Sequence, residues 1–149
     1  MDSHETADDP ATRALLEQAT AYGCTVTVDE EELAAHLVGP SGTCKLTLIV
    51  HEEDELGFVV GEGETWFASY LGTSDPAERA EAASDVVEAV LAGRISEEIW
   101  TRDGKTVRTR VTFLDTGEKY HWQYRLGKLG PPDRRNTFDP YPARPAADH

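Results

Sequence analysis

Histidine and carboxylate side chains, which are common nitrogen and oxygen ligands of metals, stand together in residues 51–55. His51 and Glu53 would share one face of a strand, Asp54 lies beside them, and His121 is available from a later strand. A zinc site takes three or four converging ligands, usually at a recognisable spacing. The chain has no His-x-x-His pair and no calcium-loop pattern. We therefore predict an acidic surface turn beside an ordinary histidine, with no metal and no other cofactor.

Cysteine is the strongest nucleophile among the side chains, and the chain has Cys24 and Cys44 without a Cys-x-x-Cys spacing. A thiolate needs a base close by. The candidate bases are His36, His51 and His121. Cys24 lies in phase with Val26 and Val28, which predicts a buried, inert thiol. We expect both thiols to be reduced in the cytoplasm, with a disulfide between them as the alternative.

Two glycine-rich turns lack the basic residues that a phosphate-binding loop uses. Residues 39–43 lack the lysine and the spacing of a phosphate-binding loop, and residues 61–63 place a glutamate where a phosphate would lie. We therefore assign no catalytic residue.

Charge is distributed very unevenly along the chain. The net charge is −14, yet residues 1–93 carry 20 acidic and 3 basic side chains, whereas residues 94–149 carry 8 acidic and 11 basic ones. The acidic part would repel nucleic acid and attract a basic protein. The predicted partner-binding residues are Asp29, Glu30, Glu31 and Glu32, and Glu52, Glu53, Asp54 and Glu55. The alternative is that acidity only keeps the protein soluble.

Basic side chains share one face of the predicted strands between residues 105 and 126. They are Arg108, Arg110, Lys119, His121 and Arg125. Like charges facing each other across strands repel unless an acidic group covers them. The face is therefore either an anion-binding surface, or it is covered from within by an acidic cluster or by the second helix.

The elements that position these residues follow from turn and cap signals. An Asp-Pro pair begins a helix at residues 9–10 and another at 75–76, and Gly23 and Gly93 end the two helices. The similar helix starts suggest either a duplicated unit or a shared way of beginning a helix.

Strands are predicted in residues 24–71, although residues 33–38 fit a strand or a short helix equally well. After the second helix, Asp-Gly at residues 103–104 and Asp-Thr-Gly at 115–117 cut the segment 95–126 into a three-stranded antiparallel meander. This pattern predicts an α+β protein with two helices packed on a mostly antiparallel sheet.

The domain organisation follows from length and composition. We expect a disordered N-terminus over residues 1–8, one domain over residues 9–127, and a proline-rich extended tail without regular structure over residues 128–149. The two aromatic residues of that tail suit a docking motif, a strap on the protein's own sheet, or disorder. The sequence shows neither a signal peptide nor an apolar run long enough for a membrane span.

The sequence resembles the immunity proteins encoded beside bacterial polymorphic toxins. The resemblance lies in the short hairpin of residues 56–66 and in the helix that ends at Gly93, followed at once by a strand containing Trp100. It covers about a third of the chain, and the proline that often follows the helix-ending glycine is replaced by Arg94 and Ile95. The resemblance implies inhibition of a toxin by binding, without catalysis.

Three functions remain open from the sequence. The first is a small, acidic, cytoplasmic module that binds a basic protein. The second is a small-molecule-binding protein or enzyme with a pocket lined by Trp66, Trp100, Trp122 and Tyr124. The third is a chaperone-like or scaffold homodimer formed through a sheet edge or a helix face.

Overall fold

Two α-helices and nine strands make up the part of the chain that the computed structural model describes, residues 6–50, 54–72, 75–124 and 128–142. A short 3-10 helix, Thr6–Asp8, precedes α1, Pro10–Ala21, and α2 is Pro76–Leu91. The strands are β1 (Thr25–Asp29), β2 (Ala34–Val38), β3 (Leu46–Ile49), β4 (Glu55–Val60), β5 (Thr65–Tyr70), β6 (Ile95–Arg102), β7 (Lys105–Phe113), β8 (Lys119–Gln123) and β9 (Arg134–Thr137).

The predicted helix starts are confirmed. The side chain of Asp9 accepts a hydrogen bond from the amide of Ala11 at 2.9 Å, and Asp75 accepts one from Ala77 at 3.3 Å. Each aspartate thereby satisfies one of the backbone donors that a helix leaves unpaired at its beginning. Gly23 and Gly93 both have a φ of 69°, the left-handed conformation in which glycine commonly ends a helix.

The strands form two separate sheets, whereas the sequence suggested one. The first sheet has the order β1-β2-β3-β4-β5, and the second has the order β8-β7-β6-β9. All the pairings are antiparallel, so the α+β class is confirmed. The ambiguous segment 33–38 contributes β2, Ala34–Val38, whose backbone pairs with β1 on one side and with β3 on the other.

The predicted meander is present in the second sheet. Asp103 and Gly104 have φ values of 52° and 78°, as the two-residue hairpin requires. Val107, Thr109, Val111 and Phe113 are buried while the residues between them are not. The register pairs Arg110 with His121, which places the predicted basic residues of β7 and β8 on one face.

Side chains from both helices and both sheets meet in one buried cluster. It includes Leu15 and Ala19 of α1, Val87 and Val90 of α2, Leu46, Leu48 and Phe58 of the first sheet, and Ile95, Val111 and Phe113 of the second. The helices also contact each other through a buried ion pair in which the guanidinium of Arg79 lies 2.8 Å from the carboxylate of Asp9. Neither helix in the described part of the chain has the length and hydropathy needed to cross a membrane.

The two ends of the chain differ from expectation where they are described. Thr6–Asp8 form a 3-10 helix in place of the expected disorder, because the carboxylate of Glu30 accepts hydrogen bonds from the amides of Thr6 and Ala7. In the tail, expected to lack regular structure, Arg134–Thr137 form β9 because β6 presents a free edge to pair with. Residues 1–5 and 143–149 lie outside the described residues.

After β9 the tail lies against the rest of the protein. The hydroxyl of Tyr141 donates a hydrogen bond to the carbonyl of Cys44, and the amide of Tyr141 donates one to the carbonyl of Leu91. The ring of Tyr141 is buried against Gly39, where an added Cβ would meet it at less than van der Waals distance. Of the three interpretations of the tail aromatics (a docking motif, a strap on the protein's own surface, or disorder), the strap is the one that fits Tyr141.

Candidate functional site

The described members of the two acidic clusters lie at the same end of the first sheet. Successive turns of a meander alternate between the two ends of a sheet, so the first turn (β1–β2) and the third turn (β3–β4) share an end. Residues 29–32 lie in the first turn, whereas Asp54 and Glu55 end the third. A hydrogen bond from the amide of Val50 to the carbonyl of Leu33 joins the two turns directly. We call residues 29–32, 54 and 55 the acidic end.

Not every carboxylate of the acidic end is equally available. Glu31 and Glu32 are exposed, while Asp29, Asp54 and Glu55 are half-buried. The side chain of Asp29 accepts hydrogen bonds from the amides of Glu31 and Glu32 and so holds the turn in shape. Glu52 and Glu53, the other two predicted partner-binding residues, lie outside the described residues.

Glu30 has an internal role. Its carboxylate binds the amides of Thr6 and Ala7 at 2.7 and 3.2 Å. These hydrogen bonds, chiefly the one from the amide of Thr6, lower the pKa of Glu30. Glu30 is therefore engaged within the protein, whereas Glu31 and Glu32 remain exposed to solvent.

One cluster of side chains that could bind a metal ion lies in the described part of the chain, and it differs from the candidate cluster around His51. Asp29, Glu32 and His36 each offer a ligand atom, and these atoms lie within 4.8 Å of one another. The Nδ1 atom of His36 is hydrogen-bonded to the hydroxyl of Thr47 at 2.9 Å. The sequence signal was a histidine four residues after a glutamate, split across a turn and a strand. His51 and Glu53 lie outside the described residues.

The basic face of the second sheet contains its own acidic group. Glu98 of β6 forms ion pairs with Arg110 of β7 and with Arg135 of β9, at 3.6 Å for the latter. Lys119 and His121 lie on the same face and are exposed. Neither the sequence nor the alternation of the strands indicated that Glu98 would lie between two arginines, because Arg135 belongs to the unpredicted β9. Arg125 lies outside the described residues.

The predicted aromatic residues do not line a common pocket. Trp100 is buried on the basic face, where the guanidinium of Arg108 lies 4.4 Å from the centre of its ring and the indole N–H donates to the carbonyl of Gly130. Trp66, Trp122 and Tyr124 are 49%, 45% and 62% exposed. None of these four residues lines the cavity between β5, α2 and the β7–β8 hairpin.

That cavity has a volume of about 350 Å³ and opens between β5, the second half of α2 and the β7–β8 hairpin. Phe67, Phe113 and Tyr120 form its aromatic floor. Four carboxylate residues and one arginine surround it: Asp85, Glu88, Asp115, Glu118 and Arg94. Phe113 and Tyr120 belong to one hairpin of the second sheet, whereas Phe67 comes from the first sheet, so the floor depends on tertiary packing.

Both cysteines are free thiols. Burial raises the pKa of Cys44 to about 12, and the nearby negative charge of Glu97 adds to this rise. Cys24, which the sequence predicted to be buried, is only half-buried, and this partial burial raises its pKa. A catalytic thiol needs a lowered pKa, so the shifts run against nucleophilic catalysis by either residue.

The glycine-rich turn of residues 61–64 binds an anion after all, and that anion is a side chain of the same protein. The buried carboxylate of Glu97 accepts hydrogen bonds from the amides of Glu62 at 3.2 Å and Gly63 at 2.8 Å, and from the side-chain amide of Asn136 at 2.8 Å. A Cβ at Gly61 would lie 2.9 Å from the Glu97 carboxyl carbon, so the carboxylate needs a glycine there. The group ties the first sheet to β6 and β9.

Comparisons with protein-family models, with curated proteins and with solved structures found no match to this chain.

Proposed function

We propose that the protein is a binding module for a basic protein partner, and that the acidic end is the surface that meets this partner. The observation that carries the proposal is the arrangement of the first and third turns, which brings residues 29–32 together with Asp54 and Glu55, more than twenty residues later in the sequence, at one end of one sheet. Concentrated charge of one sign steers an oppositely charged partner and accelerates association.

The surrounding surface supports the same function. The first turn joins the end of β1 to the start of β2. Glu31 and Glu32 are exposed in this turn, and the hydrogen bonds of Asp29 hold its backbone. A turn that is already ordered loses little conformational entropy when a partner binds. In its narrower form, the proposal is an immunity or antitoxin-type inhibitor of a basic toxin, which rests on the resemblance in the hairpin of residues 56–66 and the helix ending at Gly93.

Two matched variants test the role of the acidic end. Glu31→Lys/Glu32→Lys reverses two exposed charges in the first turn, and Glu62→Lys/Glu64→Lys reverses two exposed charges in the fourth turn, at the opposite end of the same sheet. Both variants change the net charge equally. Affinity capture from the native host, with wild type and both variants as baits, identifies basic proteins that depend on the first turn.

The purified partner is then measured by calorimetry at several salt concentrations. We expect the first variant to weaken binding by about tenfold and to flatten its salt dependence, since each exposed charge contact is worth up to about 1 kcal/mol. The opposite-end variant should keep most of the wild-type affinity. Equal affinities for the wild type and both variants would show that the acidic end is not the contact surface.

A further inference from the structure

The cavity beside α2 shares no lining residue with the acidic end, and its chemistry is well defined. Its floor consists of three aromatic rings in mutual contact. Phe67 stacks on Tyr120 with ring centres 4.1 Å apart and planes 13° apart, and Phe113 meets both rings edge-on at 5.8 and 5.7 Å. These rings come from both sheets, so the floor is a rigid apolar platform built into the packing between them.

The rim of the cavity has a clear excess of negative charge. The guanidinium of Arg94 lies 3.3 Å from the carboxylate of Glu88 and 3.1 Å from that of Asp115, so one positive charge is shared between two carboxylates. Asp85 and Glu118 also line the cavity, which leaves an excess of three negative charges among the lining residues. Glu118 accepts hydrogen bonds from the hydroxyls of Thr116 and Tyr120, which hold its carboxylate at the hydroxyl edge of the Tyr120 ring.

We propose that this cavity binds a protonated amine or guanidinium carried on a short apolar body. The body would lie on the aromatic floor, and the positive charge would face the carboxylates of Asp85 and Glu118. Aromatic faces attract cations as well as apolar groups, so the floor and the rim favour the same ligand class. A volume of about 350 Å³ is at the small end of ligand pockets, which suits a small arylalkylamine or a single arginine or lysine side chain.

Backbone NMR with three small probes tests the chemistry of the ligand. Phenethylamine, 2-phenylethanol and 3-phenylpropionate share an aromatic body but carry a positive, a neutral and a negative group. We expect phenethylamine to shift the amide signals of Ala89, Thr116 and Glu118 at concentrations at which the alcohol and the acid do not. N-acetyl-arginine amide and a short arginine peptide form a second arm, which separates a free amine from a protein side chain as the source of the ligand.

Two variants separate the charge from the shape of the site. Asp85→Asn/Glu118→Gln removes two rim charges and should weaken phenethylamine binding about fivefold. The control is Glu78→Gln/Glu81→Gln, which removes two exposed carboxylates of α2 that do not line the cavity. This control should leave phenethylamine binding unchanged. Val86→Phe should block the cavity and abolish the signal shifts, with circular dichroism confirming the fold.

Binding of any cationic probe that depends on the rim charges supports the proposal, and binding only in the arginine arm identifies a protein side chain as the source. Three results would overturn it: no binding by any cationic probe, equal binding of all three small probes, or shifts that persist in Val86→Phe.

Discussion

Replacing Glu97 with glutamine should destabilise the protein strongly, although it exchanges only one oxygen for an amino group. Glutamine has the shape of glutamate but offers one acceptor oxygen and one donor nitrogen, whereas the Glu97 carboxylate accepts with both oxygens. One oxygen meets the amide of Glu62 and the side chain of Asn136, and the other meets the amide of Gly63. Because the residue is 1% exposed, water cannot replace a lost hydrogen bond.

The magnitude follows from the two orientations that the glutamine can take. In one, its nitrogen faces the amide of Gly63; in the other, it faces both the amide of Glu62 and the Asn136 side chain. Either orientation sets donor against donor and leaves at least one buried N–H unpaired, which costs about 1–3 kcal/mol, and the remaining hydrogen bonds lose their charge assistance. We expect Glu97→Gln to lower the free energy of unfolding by about 2–4 kcal/mol.

Urea denaturation followed by circular dichroism measures this loss, and two further variants sharpen the result. Glu98→Gln changes the neighbouring residue, whose ion pairs with Arg110 and Arg135 lie on the outer face, and should cost less than about 1 kcal/mol. Adding Asn136→Asp to Glu97→Gln reverses the donor and acceptor of that pair, so the double variant should recover part of the stability. A Glu97→Gln protein within about 0.5 kcal/mol of wild type would refute the reasoning.

Two other predictions concern buried polar groups. Arg79→Met removes the guanidinium that contacts Asp9 at 2.8 Å, and it should lower the free energy of unfolding, measured by urea denaturation, by about 3–5 kcal/mol. The double variant Asp9→Ser/Arg79→Met should lose less stability, because serine keeps the helix cap without a buried charge. Equal losses in the two variants would contradict this account. The pKa of Cys44 is about 12 in the folded protein against an ordinary 9.0, so the stability from its neutral thiol is complete below pH 9 and is lost between pH 9 and 12. Wild type should therefore lose up to about 1.4 kcal/mol per pH unit relative to Cys44→Ala over that interval, and parallel pH curves would count against it.

Features that depend on neighbouring residues were predictable from the sequence. The Asp-Pro starts, the glycine stops and the turn at residues 103–104 each need only a few adjacent residues, and the structure contains all of them. The alternation in β7 was equally informative, because one face of a half-buried strand must be apolar. The class α+β follows from such local features alone.

Features that join distant parts of the chain were not predictable in the same way. β9 has the sequence Arg-Arg-Asn-Thr, without apolar alternation, and it forms because β6 offers an edge and because Asn136 reaches Glu97. One sequence signal did exist. Glu97 falls in the inward phase between Ile95 and Ile99, and a carboxylate in that position must find buried donors. Which donors it finds depends on the docking of the two sheets.

The acidic end shows how topology converts composition into a surface. The sequence contained both clusters, but residues 29–32 lie at the same end as Asp54 and Glu55 only because residues 33–38 form a strand. A helix there would have altered which turns share an end. Like charges gathered in this way repel one another and oppose folding. The amides of Thr6 and Ala7 offset only the charge of Glu30, whereas Glu31 and Glu32 remain exposed.

This repulsion allows a test of whether the exposed carboxylates serve to bind a partner or only keep the protein soluble. Glu31→Lys/Glu32→Lys should raise the free energy of unfolding of the isolated protein slightly, because it relieves like-charge repulsion at that end of the sheet, yet it should weaken the complex with a basic partner. The two effects have opposite signs only if the carboxylates are kept for the partner rather than for the fold. If the reversal instead destabilised the isolated protein and left the complex intact, the charges at this end would belong to the fold alone.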